Sequence, residues 1–353
     1  MDKNIRFIDL HVHLDGSLPV RTVRRLAEMQ GIDTGAADDE QLKKRLQVSS
    51  GCRDLNEYLT KFDFPLELLQ TPEALELAVY ELMKLQDSQG LIYSEIRFAP
   101  QLHTRKQMTQ RDAVKAALRG RERFLSENSR NGDGFCSNSA AGSLSGCRTG
   151  LLSNLILCCM RGDGNDDENY ETLNAAGEFF DREGGVVAVD LAGAEGLYPT
   201  RRYEKLFERA ARMGLPFTIH AGEAAGAESV RLAVRFGAKR IGHGINSVQD
   251  DELMRMLAAE GVTLELCPTS NLNTRVVDNI LDYPVQRLID AGVKVTINTD
   301  NMTVSNTDIR HEMKLLCDAF GYGDDVCKMF LINSAEAAFV TEEIKDRFLY
   351  EGK

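Results

Sequence analysis

Two kinds of hydrophobic pattern alternate along the chain. Short, nearly continuous apolar runs occur at Phe7 to His13, Leu91 to Phe98, Ser153 to Met160, Val186 to Asp190, Leu215 to Ile219, Arg240 to His243, Val262 to Leu266 and Val293 to Asn298. Between them lie longer stretches in which apolar residues recur every three or four positions. The first kind is how strands buried on both faces read, and the second is the stripe of an amphipathic helix. Their alternation predicts parallel βαβ units, and eight such runs predict an α/β fold, a (β/α)8 TIM barrel.

The rhythm is interrupted twice. After the first strand, Ser17-Leu18-Pro19 opens a helix by a hydroxyl cap and an early proline. Val20, Val23, Leu26 and Ala27 form its apolar face, and Gly31 ends it. Residues 32–51 are polar and weakly patterned. Helical spacing returns with Leu55, Tyr58, Leu59 and Phe62, and again behind Thr71-Pro72-Glu73 with Leu75, Ala78, Val79 and Leu82. A helical insertion over about 32–89 therefore separates the first two strands. It leaves the barrel at the C-terminal face, and it either covers a site there as an apolar lid or packs Phe62, Phe64 and Leu66 on the barrel wall. The second interruption follows a helix from about Thr109 to Ser126, opened by a Thr-x-x-Asp box. Residues 127–150 are dominated by Gly, Ser and Asn, include Cys136 and Cys147, and read as a flexible loop at the N-terminal face, remote from any chemistry.

At 353 residues the chain fits one such barrel with insertions, so a single domain over 1–353 is expected. With 43% apolar and 27% charged residues it has the composition of a soluble protein with a full core. No apolar run approaches the ~18 residues of a membrane span, and no secretory leader pattern is visible, so neither membrane nor export is expected. A net charge of -12 argues against nucleic-acid backbones as partners, whereas a neutral or cationic small molecule suits it. The eight cysteines include the adjacent Cys158-Cys159 but no Cys-x-x-Cys, which reads as reduced thiols in a cytoplasmic protein.

The chemistry lies where the strands end. His11 and His13 are two residues apart in a strand and so share a face. By itself His-x-His is a weak motif. Of the six histidines, however, His220 and His243 also close short β-rich runs beside glycines, and the last run ends in Thr299-Asp300-Asn301. Ligand-type residues at the tips of several strands are what the C-terminal face of a barrel presents. His11, His13, His220 and Asp300 together suit one Zn²⁺ per chain, a Lewis acid able to activate water. His243 is placed beside that water, to orient or deprotonate it. Glu223, three residues past a ligand and next to Gly222, reads as a proton donor.

Taken together, His11-Val12-His13-Leu14-Asp15-Gly16-Ser17, Asp190-Leu191-Ala192-Gly193, His220-Ala221-Gly222-Glu223, Gly242-His243-Gly244, Cys267-Pro268-x-Ser270-Asn271 and Asn298-Thr299-Asp300 resemble the adenosine deaminase family, in its order and spacing and over nearly the whole chain. The resemblance implies that His11, His13, His220 and Asp300 bind zinc, with His13 also beside the substrate. It implies further that Glu223 protonates purine N1, His243 assists the attack on C6, the Gly193 amide meets N3, and Asp15 holds the ribose. A purine nucleoside is then the substrate, adenosine first and 2′-deoxyadenosine with it, in purine salvage. Asn301 stands where animal members carry a second aspartate, and Ala194 where many have an Asp; the Asn301 amide can donate to N7 without being protonated. The stretch before the third strand is longer than the family usually carries. The rivals are a deaminase of free adenine or of another 6-aminopurine nucleoside and, more remotely, a barrel that binds ligand without chemistry. Asp15 favours a ribosyl substrate. Absence of a lysine ending the fourth strand argues against a binuclear hydrolase, and absence of His-x-Glu with Pro-Cys-x-x-Cys against the cytidine-type deaminases.

Overall fold

The structure, a computed structural model, describes residues 6–130 and 150–351. Eight parallel strands follow the predicted runs: β1 Phe7–His13, β2 Leu91–Phe98, β3 Leu152–Met160, β4 Val186–Ala192, β5 Thr218–Ala221, β6 Arg240–His243, β7 Thr263–Leu266 and β8 Val295–Ile297. They form two four-stranded sheets, in the orders β1-β2-β3-β4 and β5-β6-β7-β8. Single parallel bridges join the sheets on both sides, Val189 with Phe217 and Val12 with Asp300. The second carries two short hydrogen bonds, from His13 N to Asp300 O (2.8 Å) and from Asp300 N to His11 O (2.7 Å). Nearly every strand residue is buried, as expected of parallel strands covered by helices.

Several element ends differ from the sequence reading. β4 continues past Asp190 to Ala192, while β5 and β8 are shorter than the apolar runs that announce them. The first helix is Val20–Gln30, with Pro19 as its N-cap and no side-chain cap. The Ser17 hydroxyl is used elsewhere, accepting from Met302 N at 3.0 Å, so it ties β1 to the loop after β8. The stretch read as weakly patterned contains a helix, Asp39–Leu46, because Asp38 accepts from Gln41 N and Leu42 and Leu46 reach the core. Other signals act as read. Thr71 caps the helix Pro72–Ser88 with Pro72 in its first turn, and Thr109 and Asp112 satisfy each other's amides at the start of Gln110–Arg130. That helix takes up the first residues of the stretch 127–150; residues 131–149, with Cys136 and Cys147, lie outside the described residues. The six described cysteines are free thiols. Among the described residues, no helix is long and apolar enough to cross a membrane.

Candidate active site

Strand ends bring the predicted residues to one place. A cavity of about 300 Å³ is lined by His13, Asp15, Gly193, His220, Glu223, His243, Asp300 and Asn301. His11 lies directly behind it, fully buried, its ring centroid 4.6 Å from that of His220 and 5.0 Å from that of His243. Leu55, Tyr58, Leu59, Phe62 and Leu66 from the insertion line the same cavity, as do Ala194 and Arg161. The insertion thus covers the site, while Phe64 turns into the main core. Tyr58 anchors the cover through a 2.7 Å hydrogen bond to Ser305 in the loop after β8. His103 and His311 take no part: His103 is buried with Nδ1 on Leu69 O, and His311 lies on the helix Ile309–Phe320.

Donor atoms of His11, His13, His220 and Asp300 all lie within 4.8 Å of one another. Two hydrogen bonds decide which ring nitrogens carry lone pairs. His11 Nδ1 donates to Glu265 at 2.7 Å, and His220 Nδ1 donates to Asp190 at 2.9 Å, so in the neutral rings both lone pairs sit on Nε2. His11 Nε2 is buried with no hydrogen-bond partner. His13 Nε2 lies 3.2 Å from His220 Nε2, and Asp300 Oδ1 lies 3.3 and 3.4 Å from His11 and His13 Nε2. Lone pairs converging on lone pairs are unfavourable unless a cation sits among them. The spacing fits one: ligands ~2.1 Å from a tetrahedral ion stand ~3.4 Å apart. The donor set of three imidazoles and a carboxylate suits zinc.

Two of these residues hold a left-handed backbone that side chains rarely adopt, His243 and Asp300, each with φ 59°. Such strain costs of order 1 kcal/mol or more and is kept where the surroundings require it. Space is equally tight. A Cβ on Gly242 would stand 3.1 Å from His11 Cε1 and 3.2 Å from His220 Cγ, so the glycine leaves room for two imidazole rings. On Gly16 a Cβ would overlap Asn301 Oδ1 at 1.9 Å, so that glycine lets Asn301 reach the cavity wall.

Glu223 faces this cluster. Its Oε2 is 3.5 Å from His243 Nε2, and its Oε1 accepts from Thr274 Oγ1 at 3.3 Å. Burial first, then the nearby Asp300 and Glu195 charges, raise its pKa well above the usual carboxylate range, the direction a proton donor needs. His243 Nδ1 is 3.1 Å from the Asn271 amide, whose Oδ1 accepts from Tyr283 OH at 2.9 Å. With Nδ1 accepting, the proton of the neutral ring sits on Nε2 and faces the cavity. Asp15 is buried, its Oδ1 has no partner, and burial raises its pKa to about 6.

Several supporting residues escape the sequence reading. Asp190 is part of a quoted motif yet has no role there; here it orients His220. Glu265 and Arg97 orient through buried ion pairs. Glu195 accepts from the amides of Gly222, Glu223, Ala224 and Ala225, and Asn271 fixes His243. Glu265 and Arg97 do carry a signal, since a charge inside a buried apolar strand must find a partner.

Comparison with known proteins identifies the family and the fold. The profile of the adenosine deaminase family matches residues 7–351. The chain is 46% identical over 343 residues to the adenosine deaminase of Haemophilus ducreyi, covering 97% of this chain and 94% of that one. The structure of an adenine deaminase from Arthrobacter aurescens superposes with a TM-score of 0.83 at 24% identity, covering 99% of this chain and 98% of that one. A Burkholderia ambifaria amidohydrolase solved with bound zinc gives 0.81 at 19% identity, over 99% and 90% of the two chains. At such identities the two structures attest the fold.

Proposed function

The chain belongs to the adenosine deaminase family, and on that premise we propose that it is an enzyme that hydrolyses adenosine, and 2′-deoxyadenosine with it, to inosine or 2′-deoxyinosine plus ammonia, in purine salvage. One observation carries the reading. A single cavity is lined by His13, His220 and Asp300 together with Glu223 and His243, and by Asp15, Gly193 and Asn301.

His11, His13, His220 and Asp300 are the residues that would hold one zinc per chain. When bound, the ion supplies a Lewis acid that lowers the pKa of water toward neutrality. The remaining work falls to side chains. His243 presents an Nε2–H to the attacking oxygen, which suits orientation and charge stabilisation better than proton removal. As the water oxygen bonds to C6, Glu223 gives its proton to N1. One water proton passes to the amino nitrogen, the C6–N6 bond breaks with loss of ammonia, and the other restores Glu223. The unpartnered Asp15 Oδ1 accepts from a ribose hydroxyl, the Gly193 amide meets N3, and the Asn301 amide donates to N7. A free base would leave Asp15 unpartnered, which weighs against adenine as the substrate.

The two inter-sheet bridges support reading the eight strands as one closed (β/α)8 barrel in a single domain. The free thiols suit a cytoplasmic setting. The test is an ultraviolet screen of adenosine, 2′-deoxyadenosine, adenine and 5′-modified adenosines with metal analysis of the same sample. Adenosine turnover with about one zinc per chain is expected, and His13→Ala should lose metal and activity together. Full activity in metal-free protein would end the metal assignment, and a preference for adenine would end the substrate assignment.

A further inference from the structure

The two carboxylates that orient ligand histidines are wired crosswise between the sheets. His11, on β1, is held by Glu265 on β7, and His220, on β5, is held by Asp190 on β4. Each ring therefore takes its direction from the other sheet. Arg97, on β2 and fully buried, joins the two holders. Its Nη1 donates to Asp190 Oδ2 at 3.0 Å, and its Nη2 to Glu265 Oε2 at 2.9 Å and to Leu10 O at 2.6 Å, one residue before His11. Glu265 Oε1 accepts from Arg240 Nε at 2.7 Å, and Arg240 Nη2 donates to Glu95 Oε2.

We propose that Arg97 is a positioning residue for the metal site: one guanidinium fixes the His11 and His220 lone pairs relative to each other by holding both of their carboxylates. The inference rests on the metal reading and deepens it. A planar fork suits the task, because it fixes the angle between two acceptors, which the point charge of a lysine does not. The carboxylates of Asp190, Glu265 and Glu95 are fully buried around the guanidiniums of Arg97 and Arg240. The fork makes the spacing of two ligands from different sheets depend on one side chain.

Arg97→Lys tests this in the full chain. Zinc affinity, read by chelator competition, should fall by about 10- to 100-fold, the range seen when a ligand's supporting partner is lost. The visible absorption of the cobalt-substituted protein should shift, since it reports ligand geometry. Arg121→Lys is the control for burying a poorer cation: Arg121 is also buried but bonds Ser153 O at the start of β3, and its variant should keep wild-type zinc affinity and spectrum. Wild-type affinity and an unshifted cobalt spectrum in Arg97→Lys would overturn the clamp while leaving the metal site standing. A wild-type chain that takes up neither zinc nor cobalt would overturn the metal reading and the clamp with it. Should Arg97→Lys fail to fold, Asp190→Asn and Glu265→Gln remain, each keeping shape and an acceptor. Each should weaken zinc binding, and the double variant should lose less than the product of the two, because freeing one arm of Arg97 already loosens the other. Independent, multiplying effects would refute the coupling.

Discussion

Glu195→Gln probes how Glu223, proposed above as the proton donor, is held. Glu195 is buried in the loop after β4, and its carboxylate takes five donors. Gly222 N (2.8 Å) and Ser229 Oγ (2.5 Å) bond Oε1, while the amides of Glu223, Ala224 and Ala225 bond Oε2 at 3.1, 2.8 and 3.0 Å. One side chain thus fixes the backbone on both sides of Glu223. Glutamine has the same shape but one carbonyl. With that carbonyl on the run of three amides, its NH₂ meets the Gly222 N–H, donor against donor, although the Ser229 hydroxyl can rotate to accept. One buried N–H is stranded, at about 1–3 kcal/mol, and the other bonds lose their charge assistance. Expressed wholly in the transition state, the stranded group alone lowers kcat about 5- to 150-fold. No ligand contact changes, so metal content should stay at the wild-type level and KM should move little. Steady-state deamination with metal analysis and urea unfolding would measure all three. A variant with kcat within about twofold of wild type would show that Glu223 is positioned by something other than this carboxylate.

Three further outcomes are expected. Glu223→Gln keeps the size of the side chain but cannot deliver a proton to N1, so kcat should fall at least ~10²-fold with zinc still bound; a drop of only a few-fold would reassign the residue to structure. Asn301→Ala should lower kcat/KM for adenosine about 5- to 150-fold yet lose most of its effect on 7-deazaadenosine, and equal discrimination against the analogue by both enzymes would remove Asn301 from N7. Burial raises Glu312 to about 7 from an ordinary value of 4.5. The unfolded chain therefore ionises first as pH rises, and the stability present below about 4.5 is lost through about pH 7. Glu312→Gln should lack that slope, gaining up to ~3 kcal/mol on wild type between pH 5 and 8 in urea unfolding, whereas parallel pH profiles would show that Glu312 is not held protonated.

What could be read from the sequence, and what could not, follows from the range of the forces involved. Parallel strands buried on both faces leave near-continuous apolar runs, so β1 to β8 could be located from local pattern, with errors only at their ends. The convergence of His11, His13, His220 and Asp300 could be read because they sit at those ends. The helix Asp39–Leu46 was hidden because only Leu42 and Leu46 face the core, too few to set a period. Ser17 resembles a helix cap locally, but its hydroxyl is taken by Met302 N, 285 residues away. Glu195 carries no mark at all, since its meaning depends on a run of amides that only the folded β5 loop brings together. Arg97 and Glu265 could be suspected as charges in apolar strands, but not their choice of partners.

The last of the residues proposed as ligands shows why fold and site become legible together. Asp300 does three things at once. Its backbone pairs with His11 and His13 across the join of the two sheets, its side chain faces the same two imidazoles, and its φ of 59° turns the chain sharply enough to do both. A residue in that conformation costs of order 1 kcal/mol or more if it is not Gly, and the cost is borne because His11, His13 and Asp300 gain their relative placement from one turn. Hydrogen bonds joining β1 to the end of β8 therefore also fix the spacing of the donor atoms. A substitution that relaxes the Asp300 backbone loosens the sheet junction, and one that opens the junction separates these donor atoms. This is the physical reason that motifs nearly 290 residues apart in the chain, His11-Val12-His13 and Thr299-Asp300-Asn301, read as parts of one site.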